Sequence, residues 1–329
     1  MGGPAVGAQA LARPVRRPGA ARRRGWADDV HRALLGSFAL FVFVVAALIV
    51  YESARGAGLS VRTLGWGFFT STEWDPVADR YGALPYLYGT LVSSALAMLL
   101  AVPLGIGTAV FLAELAPRRL GDAVAFVVEL LASIPSIVYG IWGLFVLAPF
   151  LRGAVEPWLV RHLGFLPLFQ GYPFGIGMLN AGIVLAVMVL PTIVSLSREI
   201  LLSTPRSLRE ASLALGSTRS EAIGVVLDAA RPGILGAVIL ALGRALGETM
   251  AVTMVIGNTN RISASLLAPG ATMASVIANE FTEATGDLYI SALVEIALVL
   301  FVLTLLVNAV ARALVHWATG GRRDVAGVA

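Results

Sequence analysis

One arginine and one glutamate, four residues apart in an otherwise apolar run, are the side chains here best suited to handle charge. They are Arg244 and Glu248 in GRALGETMAV, within the stretch Gly233 to Gly257. On a helix this spacing puts both on one face, about 6 Å apart along the axis, close enough to pair. An ionised group at the centre of a spanning helix costs at least about 2.5 kcal/mol on insertion scales, so such groups line an interior pathway or pair between packed helices. A guanidinium offers a rigid fork of donors that matches a tetrahedral oxyanion. A neighbouring carboxylate would hold that fork in place and weaken its grip enough for release.

Two further carboxylates, Glu129 and Glu295, fall a few residues inside apolar runs. Each is expected nearer an interface than Arg244, Glu129 toward the cytoplasm and Glu295 toward the outside, as an intramembrane polar contact. Other chemistries are excluded by composition. Cysteine is absent, which removes disulfides and thiolate metal sites. Lysine is absent too, all 24 basic residues being arginine, and a standard Walker A loop needs its lysine. The chain is therefore expected to bind no cofactor, and any ATP would be used by a partner subunit. His31, His162 and His316 have no metal spacing, and no nucleophile, base and acid stand in a recognisable local arrangement. An enzyme is not indicated. The net charge of +4 points to no nucleic acid, because the arginines cluster beside apolar runs.

The elements that must position these residues are membrane helices. Of 329 residues 57% are hydrophobic and 13% charged, the balance of an integral membrane protein. Apolar windows predict six spans: Ala33 to Tyr51, Leu87 to Leu115, Ala123 to Leu151, Gly175 to Leu202, Gly233 to Gly257 and Ile290 to Val315. The fold class is thus all-α, a polytopic bundle in contact with membrane lipid. With both termini in the cytoplasm, seventeen arginines fall inside and six outside, as the positive-inside rule requires. Residues 1–32, rich in Gly, Ala, Pro and Arg, are expected to be a disordered basic N-terminus, 33–316 the transmembrane domain and 317–329 a cytoplasmic tail. A cleavable signal peptide competes for the first apolar run, which is read as an uncleaved span because it is long and no small-residue cleavage site follows. Pro103, Pro135 and Pro191 each interrupt a span.

The segment 203–231 between spans four and five is patterned. Thr204 is expected to cap a helix starting at Pro205, with Leu208, Ala211 and Leu215 as its apolar stripe. Gly216 ends it, and Thr218 with Glu221 opens a second short helix as a capping box. Such a helix–glycine–helix suits a groove of a partner protein, or a membrane surface.

The spacing of Glu210, Ala211 and Gly216 resembles the EAA loop of ABC-transporter permeases, which forms a coupling helix docked into the ATPase. The loop departs from that pattern at its end, where Val226, Leu227, Asp228 and Ala229 replace Ile-x-Leu-Pro. GRALGETMAVTMVIGNT, IPSIVYGIWGLFVLAPFL and ANEFTEA together are similar to the PstC-type permeases of phosphate importers, from about Leu84 onward. The resemblance implies a MetI-like fold in the bacterial inner membrane, paired with a homologous sister permease. It also implies two cytoplasmic ATPase subunits and an extracytoplasmic phosphate-binding protein. Arg244 and Glu248 would then stand on the substrate pathway. Permeases for sulfate or molybdate, and a proton-coupled carrier using Glu248 or Glu295, are the competing readings.

Overall fold

The computed structural model describes residues 26–319, with side chains from 29 to 317. The chain divides into two units, Met1–Tyr51 and Glu52–Ala329. The described part of the first is helix α1 (Trp26–Gly56), which continues into the second. Then α2 (Gly58–Leu64) and α3 (Gly67–Thr70) lead to an antiparallel hairpin of β1 (Trp74–Asp75) and β2 (Arg80–Tyr81). The long α4 (Leu84–Val110) ends in a π-helical turn, Phe111–Leu115, followed by α5 (Arg118–Ser133). A rod is built from α6 (Ser136–Trp142), α7 (Ala148–Phe150) and α8 (Glu156–Leu163), joined through π turns. The rest comprises α9 (Met178–Ser203), α10 (Arg206–Ala214), α11 (Arg219–Leu246), α12 (Met250–Val255), α13 (Met273–Glu280) and α14 (Asp287–Thr319).

Among the described residues, six helical segments are long and apolar enough to cross a membrane: Asp29–Gly56, Leu84–Leu115, Ser136–Leu163, Met178–Ser203, Arg219–Leu246 and Asp287–Trp317. Spans one, two, four and six lie where hydropathy put them, to within a few residues. The third and fifth do not. Ala123 to Leu151 is two helices, because Pro135 forces the residue before it, Ile134, into extended backbone at φ −67°, ψ 129°. The same device acts at Ala116 before Pro117 and at Thr204 before Pro205, with ψ 141° and 132°. Thr204 accordingly finishes α9, its hydroxyl donating to the Ile200 carbonyl, and does not cap α10, which starts at Arg206. Pro103 and Pro191, by contrast, lie inside continuous helices. The N-terminal segment is helical from Trp26, while residues 1–25 and 320–329 lie outside the described residues.

The core of the second unit gathers around α9, two thirds of whose most apolar window is buried. The contact with α4 is close because glycines stand where the helices meet. A Cβ on Gly182 would come within 2.4 Å of the Leu96 side chain, and one on Gly105 within 2.7 Å of Ile193. The first amides of α9, which have no intrahelical partner, are satisfied by a returning loop. Met178 donates to the Ala268 carbonyl at 3.1 Å and Leu179 to that of Leu266 at 2.7 Å. That loop turns back through left-handed backbone at Gly257 (φ 93°) and Asn258 (φ 48°).

At the same end of the bundle, Glu280 ties three elements together. It accepts from the Trp74 indole and, at 2.7 Å, from the Tyr289 hydroxyl, beneath the stacked rings of Tyr81 and Tyr289. Burial first, then Asp79, pushes the Tyr81 phenol up to about 12. Close packing gives a direct test. Gly89→Ala would set a Cβ 2.0 Å from the Ala271 carbonyl oxygen, whereas nothing stands within 4 Å of a Cβ at Gly107. Gly89→Ala is expected to destabilise by about 1–3 kcal/mol, and Gly107→Ala to leave the thermal midpoint in detergent unchanged.

Candidate functional site

Helix α11 ends early. Gly247 follows Leu246 with its amide still donating to the Gly243 carbonyl at 3.3 Å, but Thr249 lies off the helix at φ −108°, ψ −65°, and α12 starts only at Met250. The apolar stretch Gly233 to Gly257 is therefore a broken helix. Interrupted helices are tolerated at membrane depth where they line a cavity, and in transporters they mark substrate sites.

The break overturns the expected pairing. Arg244 sits in the last turn of α11 and Glu248 in the linker beyond it, so the two no longer share a helical face. Among the described residues no ion pair joins them. Glu248, half-buried, turns toward α12 and accepts from the Ala251 amide at 3.2 Å, satisfying one of that helix's free donors. Arg244 is exposed, its charge placed at the C-terminal, partially negative end of α11, which favours a cation. It projects into a groove of about 970 Å³ whose wall also includes Thr192, Gly243, Thr304, Asn308 and Arg312. Tyr139 lies close enough to feel the guanidinium, and its hydroxyl is committed to the Leu131 carbonyl at 2.7 Å.

The two remaining carboxylates separate. Glu129 is exposed on α5, which precedes the third candidate span, Ser136–Leu163. It lines a small cavity with Arg198 and Glu199. Glu295 is buried in α14 and accepts from the Ser60 hydroxyl of α2, while Ser291, one turn earlier, donates to the Gly56 carbonyl at 2.7 Å. It thus contacts a neighbouring helix.

Two buried polar residues escaped the sequence reading. Glu156, 1% exposed, accepts from the Gly175 amide at 2.8 Å. Asn180, fully buried, donates to the carbonyls of Gly175 at 2.8 Å and Gly143 at 3.2 Å. Together they clamp the chain entering α9 to the rod of α6–α8. The signal for Glu156 was present, an acid beside Pro157 at the edge of an apolar run, but the third span had been placed too early to enclose it.

The segment between spans four and five is a helix, a left-handed glycine and a helix, as its spacing indicates. Gly216 has φ 88°, and Thr218 with Glu221 makes both bonds of the capping box. The second helix is not short: α11 runs unbroken from Arg219 to Leu246. On α10, Glu210 and Ala211 are exposed, as are Leu208, Leu213 and, directly after its last residue, Leu215 at 88%. An apolar face left in the open this way has no partner among the described residues. Arg209 turns inward to pair with Glu114, whose side chain is 4% exposed in the π turn ending α4.

Residues 101–319 match the family described as binding-protein-dependent transport system inner membrane component. Among curated proteins, the chain is 49% identical over 296 residues to the phosphate transport system permease protein PstC of Mesorhizobium japonicum, covering 88% of this chain and 90% of that one. It is 48% identical to the PstC protein of Xylella fastidiosa strain 9a5c, over 87% of this chain and 90% of the other. Against the PstC protein of Haemophilus influenzae the identity is 42%, over 88% and 93%. With six apolar helices, a broken fifth span and a match over most of its length, the chain belongs to the family of inner membrane components of binding-protein-dependent transport systems.

Proposed function

We propose that this chain is the permease subunit of an ATP-driven importer of inorganic phosphate, forming half of a translocation pathway in a bacterial inner membrane. The observation that carries this reading is the 49% identity to a phosphate transport permease over nearly the full length of both chains. The partners are a homologous sister permease, two cytoplasmic ATPase subunits and an extracytoplasmic phosphate-binding protein. With no lysine to contact nucleotide phosphates, the chain leaves ATP hydrolysis to those ATPase subunits.

In this reading α10 and both termini lie on the cytoplasmic side, and the open leucines of α10 enter a groove of the ATPase. The Arg209–Glu114 pair then links α10 to the end of α4, so that movement of the docked ATPase is passed to a membrane helix. Arg244 makes a transient contact with the anion at the break between α11 and α12. Glu248 serves the same site from the linker, by fixing the start of α12 and moderating the local positive field. The anion is held weakly because the guanidinium is exposed, as passage requires. Selection among tetrahedral oxyanions rests largely with the binding protein.

Uptake of labelled phosphate, in cells without other phosphate importers, is expected to withstand a hundredfold excess of sulfate or molybdate; competition by either would transfer the reading to that oxyanion. Leu215→Asp is expected to abolish co-purification of the ATPase and phosphate uptake while the chain still reaches the membrane. An intact ATPase complex in this variant would remove α10 as the dock. For the ion pair, thermal unfolding of Glu114→Gln, Arg209→Gln and the double variant should show a coupling of at least about 1 kcal/mol. Strict additivity would mean the pair carries no force between α10 and α4.

A further inference from the structure

The groove at Arg244 continues along α14, and the side chains that line it there are polar at a regular interval. Thr304, Asn308, Arg312 and His316 recur every four residues, one face of a helix, over about 18 Å of its axis. Across from them Pro232, Gly236, Leu240 and Arg244 recur at the same interval along α11. The two faces run in opposite directions, with Gly243 beside Asn308: a Cβ at Gly243 would stand 3.5 Å from Nδ2 of Asn308. The glycines at 236 and 243 keep the α11 wall low where the α14 stripe is polar.

Three features of this groove point to a ligand. Its lining carries two arginines and, among the described residues, no carboxylate. Arg312 is exposed and has no ion pair among the described residues. Oδ1 of Asn308 is buried without a hydrogen-bond partner, an arrangement that is costly unless something donates to it. A fully deprotonated oxyanion satisfies the arginines but has no proton for Oδ1. An oxyanion that still carries a hydroxyl satisfies both.

We propose that the α14 stripe is a second anion subsite, in which Arg312 receives the anion from Arg244 and Asn308 accepts a hydrogen bond from a protonated oxygen of the anion. Phosphate near neutral pH keeps at least one such hydroxyl, whereas sulfate does not. The subsite therefore adds discrimination inside the membrane to whatever the binding protein has done outside. This rests on the phosphate-import reading, and it places the exit of the pathway between α11 and α14.

Because the chain has no cysteine, a single introduced thiol reports its own surroundings without further engineering. Thr304→Cys and, as a control on the opposite apolar groove, Leu306→Cys are placed in the complete transporter in inverted membrane vesicles, and labelled with an anionic, membrane-impermeant thiol reagent. Label is expected at position 304, slowed at least tenfold by inorganic phosphate and little by sulfate, with none at 306. Adding Arg312→Gln should remove the phosphate protection, and Arg312→Lys should restore part of it. Adding Asn308→Leu should make phosphate and sulfate protect alike. No label at 304 would mean that another subunit fills the groove, and equal protection by both anions with Asn308 intact would mean that the amide reads nothing; either overturns the proposal. Phosphate uptake by the otherwise unaltered transporter separates the cases: uptake without the labelling pattern defeats only this subsite, and absence of uptake defeats the import reading itself.

Discussion

Backbone amides and carbonyls have no water to turn to inside a membrane, and the architecture of this chain follows from how each interruption of a helix is satisfied. In the proposed function, the break between α11 and α12 is the one that meets the anion. Stopping α11 at Leu246 frees carbonyls beside the guanidinium of Arg244, and restarting at Met250 frees amides, one of which Glu248 takes. The pair of charges is divided between two helix ends of opposite polarity, where each has a favourable field of its own. Arg244 is left facing the groove with no ion pair among the described residues, which is the state the proposed anion contact needs.

The remaining interruptions hold that break in position. The loop after α12 returns through Gly257 and Asn258 to satisfy the first amides of α9, and the buried Asn180 fastens those same residues to the rod of α6–α8. Movement of α12 is therefore tied to the most enclosed helix of the bundle. At the other end, the proline before α10 and the glycine after it isolate a helix short enough to move as a unit. Its one inward charge, on Arg209, meets the π turn of α4. An ATP-driven machine needs a stiff connection of this sort between a docking surface and a distant site.

Much of this was legible in residue order. Composition and apolar runs gave the class and four of the spans closely, and Gly216 with Thr218 and Glu221 gave the hinge and cap, because both are local chemistry. The failures were also local in origin. Hydropathy averages across a break, so it merged α5 with the rod that follows and ran α11 into α12. Proline was the sharper signal, but its effect differs from site to site: Ile134 becomes extended before Pro135, while the exposed Pro103 and the buried Pro191 both lie inside continuous helices. The proximity of Arg244 and Glu248 was inferred from helical pitch, which holds only while the helix lasts. Glu156 and Asn180 were missed because their partners are backbone groups, Gly175 just before α9 for both and, for Asn180, also Gly143 in the rod, and backbone groups carry no signal in residue type.

The central claim is that Arg244 acts on the moving anion and not on the assembly or the ATP cycle. The most direct test is the ratio of phosphate transported to ATP hydrolysed by the complete transporter in proteoliposomes, compared between the unaltered chain and Arg244→Gln. The account predicts that ATP turnover stays within about twofold while phosphate transport falls at least tenfold, the size expected for losing a charge-assisted contact. An unchanged ratio, with transport intact or with both activities lost together, would contradict it.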